Sequence, residues 1–182
     1  MLTSLLITVL ILSVISLFNL VLGMGIIRRL REHTEILAGS GSQEGLTQPG
    51  HRIDDVAVAT LGGGTFARDS LAGPTLVAFF MPGCAGCKIA LPEFIREVGQ
   101  GRYAGHRVIG VVNGSGEEAD ALRDQLAALV DTVVPTATRD VIKAFDSSVY
   151  PAFYVIDETG TIRQSSTKLA EIDLPVPAVA GN

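Results

Sequence analysis

Only two cysteines occur in this 182-residue chain, and they lie three positions apart. A disulfide-stapled scaffold spreads more of them along its length, so these two do not hold the fold together. Histidine is almost as scarce. His33, His51 and His106 are far apart, and none pairs with another. A zinc site built on the two cysteines would need two further ligands, which this distribution does not supply. Covalent haem attachment needs a histidine after the second cysteine, and Lys88 stands there. Positive charge is also in deficit. The chain has 14 Lys and Arg against 19 Asp and Glu, a net charge of −5, which excludes the basic footprint of a nucleic-acid binder. The excess acid falls after residue 50 and reads as an ordinary acidic surface. Gly62-Gly63-Gly64 lacks the Lys-Ser/Thr ending of a phosphate loop and reads as a hairpin turn. No internal repeat is present. The expectation is therefore of no metal, no organic cofactor and no nucleic acid.

Charge is missing altogether from Met1 to Ile27. From Leu5 onward this stretch is Leu, Ile, Val and Phe with a few small polar residues. As a helix it would be ~35 Å long, enough to cross a ~30 Å hydrocarbon core. A cleaved signal peptide would want a basic start, a shorter apolar core and a small-residue cleavage site, and none is found. A buried core helix would not be apolar on every face. Residues 1–27 are expected to be a retained transmembrane anchor. Residues 28–50 then read as a juxtamembrane helix and a flexible Gly/Ser linker ending at Pro49-Gly50. A globular domain is expected over 51–170. Pro175 and Pro177 mark a loose tail over 171–182.

Within the domain, Val56–Ala59 and Thr65-Phe66 read as a small hairpin. The continuous apolar runs Thr75–Met81 and Arg107–Val112 suit strands buried on both faces. Lys88–Val98, Glu117–Val130 and Arg139–Phe145 have helical spacing. Ser115 with Glu118 is expected to form a capping box, and Thr138 to cap the third helix. A short strand over Thr132–Val134 precedes that helix. Ala152–Ile156 and Thr161–Arg163 form a closing hairpin across Asp157–Gly160. The order β-β-β-α-β-α-β-α-β-β makes an α/β fold with a mixed central sheet.

The chemistry is carried by Cys84-Ala85-Gly86-Cys87, which follows a buried strand and opens a helix. At a helix N-terminus the unpaired N–H groups and the positive end of the dipole favour a thiolate. The two-residue spacer lets the second sulfur reach a mixed disulfide. Cys84 is thus the expected nucleophile and Cys87 the resolving thiol. An inert structural disulfide would leave the strand-to-helix placement of both cysteines unexplained.

The stretch Phe79-Phe80-Met81-Pro82-Gly83-Cys84-Ala85-Gly86-Cys87-Lys88-Ile89-Ala90-Leu91-Pro92 resembles a thioredoxin active site, including the proline five residues past the second cysteine, here Pro92. Val149-Tyr150-Pro151-Ala152-Phe153-Tyr154-Val155-Ile156-Asp157 is similar to that family's cis-proline loop and the strand after it. The resemblance implies a thioredoxin-like fold with an added N-terminal β-hairpin. It also implies a cis Pro151 facing the cysteine pair and a Tyr150 backbone that binds the substrate chain. With the anchor, it points to the membrane-tethered branch of the superfamily, of the cytochrome-maturation (TlpA/ResA-like) or methylamine dehydrogenase accessory (MauD-like) type. The implied activity is thiol–disulfide exchange with protein thiols and disulfides, with a redox-recycling partner.

There are departures. Gly83 stands where many relatives have tryptophan. Ala78 stands where thioredoxin has a buried aspartate. The Ala-Gly spacer is neither Gly-Pro nor Pro-His. Two other functions stay open. One is a peroxiredoxin-like peroxidase, although Met81 and Val77 occupy the positions where peroxiredoxins resemble one another in Thr/Ser and Pro. The other is a tethered binding or chaperone module with idle thiols. The side of the membrane is contested. Arg28, Arg29 and Arg31 follow the apolar run, which by the positive-inside rule would leave the domain in the cytoplasm. The resemblance implies an extracytoplasmic domain, and that is the expectation taken here.

Overall fold

The computed structural model describes residues 45–174, together with residues 7, 10, 12, 13 and 16, which are helical. Most of the expected anchor and most of the linker lie outside the described residues. Among the described residues, no helix is long and apolar enough to cross a membrane.

The centre of the sheet is built from apolar runs that have no polar face to offer water. Strand β3 (Thr75–Phe80) is buried at every position. It pairs in parallel with β4 (Arg107–Val112) and antiparallel with β6 (Ala152–Ile156). The two-residue β5 (Asp131–Thr132) and the longer β7 (Ile162–Ser166) complete a five-stranded sheet of order β5-β4-β3-β6-β7. A separate hairpin joins β1 (Ala57–Ala59) to β2 (Thr65–Ala67). The helices are α1 (Ala85–Gly99), α2 (Glu117–Ala127) and α3 (Thr138–Phe145).

Alternation along β3 sends side chains to two cores. Val77 and Phe79 join Phe66, Ile109, Val111, Phe145 and Tyr154 on one face. Leu76, Ala78 and Phe80 join Cys87, Phe94, Val112, Leu126 and Phe153 on the other. Aromatic rings lock both. Phe79 meets Phe145 and Tyr154 edge-on at 5.2 and 5.5 Å, while Phe80 meets Phe94 and Phe153 at 5.4 and 5.8 Å. Each such pair adds roughly 0.5–1.5 kcal/mol to the burial of the rings.

Neighbouring backbone occupies part of each sheet edge, which shortens the open template for strand addition. On the β5 side, Leu61 N donates to Thr132 O at 2.7 Å and Thr60 bridges Val133. On the β7 side, Ile162 exchanges backbone bonds with Gly50 and His51. After β7 the packed chain continues through buried Leu169 and Ile172, and Asp173 N donates to the Gln164 side chain at 2.8 Å.

The element order is the one expected, with differences at the ends. Gly116, at φ 90°, is the N-cap of α2, and Ser115 makes no cap there. Glu117, Glu118 and Asp120 face the positive end of the dipole instead. Thr138 is the first residue inside α3, where its hydroxyl donates back to Val134 O. Helix α2 stops at Ala127, because the chain must turn early to enter β5.

Candidate active site

The site forms where β3 hands the chain to α1. After Phe80 the segment Met81-Pro82-Gly83 turns, with Gly83 at φ 75°, a conformation that favours glycine. Cys84 is the N-cap of α1. Its extended backbone (φ −71°, ψ 124°) points Sγ back over the first turn, where it accepts a hydrogen bond from Cys87 N at 3.1 Å. A sulfur thus does what Ser or Asp does at most N-caps.

Cys84 is partly exposed, whereas Cys87, one turn on, is 4% exposed and belongs to the second core. Both are free thiols. Burial, then the hydrogen bond with Cys84, push the Cys87 thiol up to about 12. Ala78, at the position of the thioredoxin aspartate, is fully buried in the same core. Pro92 lies inside α1, where it cannot donate to the carbonyl of Lys88.

The Tyr150–Pro151 peptide is cis. It brings the Tyr150 carbonyl within 3.3 Å of Cys84 Sγ, which donates to it. Cys84, Cys87, Tyr150 and Pro151 are therefore brought together, although the sequence separates the pairs by more than sixty residues. Pro92 lies further along α1 and touches none of this geometry in any hydrogen bond.

Three residues at the site escaped sequence reasoning. Gly86 lies under the proline: a Cβ there would come 2.9 Å from Pro151 Cδ. The spacer glycine is thus a packing requirement. Asn113, just past β4, donates from Nδ2 to Tyr150 Oη at 2.9 Å. Burial raises the Tyr150 phenol, and this bond from Asn113 offsets part of the rise. Arg123, 3% exposed on α2, donates to Val112 O at 3.1 Å and to Gly114 O, and pairs with Asp120 at 2.7 Å. The sequence signal for Arg123 is slight: one arginine among the alanines and leucines of α2.

A shallow cavity of about 420 Å³ lies at the other end of β4, lined by Val98, Tyr103, His106, Arg107, Leu129 and Asp131 among others. None of the cysteine-site residues lines it. Among the described residues, no group of three or more His, Cys, Asp or Glu could hold a metal ion.

A mixed five-stranded sheet, a CxxC pair at a helix entry and a facing cis-proline define a thioredoxin-superfamily chain. Comparison of the fold agrees. The thioredoxin domain of thiol-disulfide oxidoreductase BVU-2223 from Bacteroides vulgatus matches with a TM-score of 0.51 at 18% identity, over 66% of this chain and 89% of that one. A thio-disulfide isomerase from Thermus thermophilus matches at 0.53 and 14% identity, over 65% and 85%. StoA from Bacillus subtilis matches at 0.51 and 18%, over 65% and 90%. At these identities the likeness is one of fold. No curated protein matches the chain at a significant level. Residues 49–165 match the AhpC/TSA family, and the chain belongs to that family.

Proposed function

We propose that this protein is a membrane-tethered thiol–disulfide oxidoreductase of the TlpA/ResA-like or MauD-like kind. The observation that carries the reading is the position of Cys84 Sγ. It lies between the Cys87 amide at the start of α1 and the Tyr150 carbonyl beside cis Pro151, with Cys87 buried behind it.

In the reducing direction, the Cys84 thiolate attacks one sulfur of a partner disulfide. The new S–S bond forms as the partner's bond breaks, and the departing thiolate takes up a proton. Cys87 then gives up its proton and attacks Cys84 Sγ, expelling the second partner thiol. Two electrons pass to the partner, and Cys84–Cys87 becomes the disulfide. The oxidising direction is the same sequence reversed. Burial of Cys87 keeps it protonated until the mixed disulfide has formed, which separates attack from resolution. The Tyr150 backbone lines up the partner chain, and a separate redox partner resets the pair.

The uncharged residues 1–27 support the anchor, and the thioredoxin-like branch supports an extracytoplasmic domain. Labelling intact cells with a membrane-impermeant maleimide after gentle reduction tests the side. Reaction of Cys84 only after lysis would place the domain in the cytoplasm.

Membership of the AhpC/TSA family keeps peroxide reduction as a second reading. Met81 and Val77 do not supply the hydroxyl and proline of peroxidatic sites, so exchange is favoured. The deciding assay follows a protein disulfide and a hydroperoxide in parallel. Cys84→Ser should abolish disulfide exchange, and Cys87→Ser should accumulate mixed disulfides. Turnover of hydroperoxide alone would favour the peroxidase. Full biological function in Cys84→Ser would favour a binding module.

A further inference from the structure

We propose that Asn113 is a positioning residue for disulfide exchange, holding Tyr150 and, through it, the carbonyl that faces Cys84. The proposal rests on the reading of the cysteine site given above. Asn113 is 37 residues from Tyr150 in sequence, yet its side-chain amide donates to the phenol oxygen at 2.9 Å. Its backbone is equally committed. Asn113 N donates to Phe80 O at 2.8 Å, which ties it to the end of the strand that delivers Cys84.

The residues on either side are fixed from behind. Arg123 binds the carbonyls of Val112 and Gly114 with one guanidinium that is itself buried. Gly114, at φ 149°, runs flush along the cysteine turn: a Cβ there would come 3.1 Å from Pro82 Cδ. The Asn113 amide is therefore held in place by α2, β3 and the Pro82 turn, none of which depends on a partner being bound. Among the described residues, its side-chain hydrogen bond into the site goes to Tyr150.

Tyr150 needs such a tether. It is only half-buried and packs at the margin of both cores. Its carbonyl is the group 3.3 Å from Cys84 Sγ, and its ring and carbonyl belong to one residue. The bond from Asn113 anchors the ring, and with the ring anchored the backbone of Tyr150 has less room to shift away from Cys84. A primary amide suits the task because it donates without titrating. A carboxylate would have to accept instead, and would add a negative charge beside a thiolate.

The test uses the full-length chain and two probes of Cys84. One is a short peptide with a single intramolecular disulfide, which needs the Tyr150 backbone. The other is iodoacetamide, which needs only the sulfur. Asn113→Ala and Tyr150→Phe should each slow the peptide reaction about fivefold, the size of one neutral hydrogen bond. The iodoacetamide rate should stay within about twofold of wild type, since no bond to the sulfur is removed. The double variant should be no slower than either single one, because both remove the same bond. Tyr150→Phe deletes a single oxygen atom, so it carries the test alone if Asn113→Ala does not fold. Losses that multiply in the double variant would overturn the proposal, as would an unchanged peptide rate or an equal loss toward iodoacetamide. A wild-type chain that does not exchange with the peptide would overturn the oxidoreductase reading, and this proposal with it. Normal exchange that is insensitive to both substitutions would overturn this proposal alone.

Discussion

Two glycines in α1 should respond in opposite directions to the same substitution. Replacing a helical glycine by alanine removes freedom from the unfolded chain and favours the helix by roughly 0.5–1 kcal/mol. At Gly99, the last residue of α1, a Cβ would meet nothing within 4 Å, so Gly99→Ala should keep most of that gain. At Gly86 the same Cβ would lie 2.9 Å from Pro151 Cδ. Ordinary carbon contacts are ~3.5–4.0 Å, so something must yield by more than half an ångström. Pro151 Cδ belongs to a ring bonded to the backbone, and the other side is the helix itself. Neither yields as a flexible side chain would. Overpacking of this kind costs roughly 1–3 kcal/mol, which outweighs the helix gain. Gly86→Ala should therefore be destabilised by about 1 kcal/mol, or ~3–5 °C in Tm for a domain of this size. It should also lose exchange activity, since relief of the clash carries the Tyr150 carbonyl away from Cys84. Paired urea melts of the two variants, with the peptide-disulfide rate, make the comparison. If Gly86→Ala is stabilised as much as Gly99→Ala and exchanges normally, the packing argument is wrong.

Three further outcomes follow from buried groups. Cys87 keeps its proton in the fold up to about 12 while an unfolded thiol loses it near 9.0, so stability should fall as pH rises from 9 toward 12. The slope would be up to ~1.4 kcal/mol per pH unit, and Cys87→Ala should remove that share in alkaline melts. Tyr103, Tyr150 and Tyr154 are raised by burial and act in the same direction, so the difference between wild type and Cys87→Ala is the quantity to read. At acid pH the responsible group is Asp157 in the β6–β7 turn. Burial pushes its carboxyl up, but hydrogen bonds from Thr159, Thr161 and Arg163 outweigh this and hold it at about 2. That stability is present above about 4 and is lost as pH falls through 2. Asp157→Asn should cost ~2 kcal/mol at pH 7 and little near pH 2, read by melts at both. Arg123→Met should cost about 2 kcal/mol by stranding the carbonyls of Val112 and Gly114, and should slow peptide exchange as Asn113 loosens.

What could be read from the sequence was local. β4 and β6 follow their apolar runs, with Arg107 only at the half-buried start of β4, because the interior of a strand buried on both faces has little room for polar side chains. The place of the cysteine pair was legible because an apolar run before it and helical spacing after it mark a strand-to-helix turn. Helix ends were less legible. Ser115 and Thr138 have the composition of caps, but Gly116 and Ala137 occupy the cap positions. Backbone angles decide that, and residue type only biases them. The contacts of Gly86 with Pro151 and of Asn113 with Tyr150 join segments that no periodicity relates. They exist because β3 and β4 finish, and β6 begins, at the same end of one sheet.

The aromatic packing of β3 has a consequence for how this site can change. Phe79 and Phe80 are neighbours in the chain, yet one is held by Phe145 and Tyr154 and the other by Phe94 and Phe153, on opposite sides of the sheet. The strand is riveted through its thickness four to five residues before Cys84. A drift in either core is therefore felt at the sulfur, and neither side offers a neutral route for repacking. Variation has fewer constraints at Lys88 and Ile89, which are exposed on α1 beside the cysteines. Substitutions at these two positions should therefore leave the cysteine geometry as it is, whereas substitutions at Phe79 or Phe80 should not.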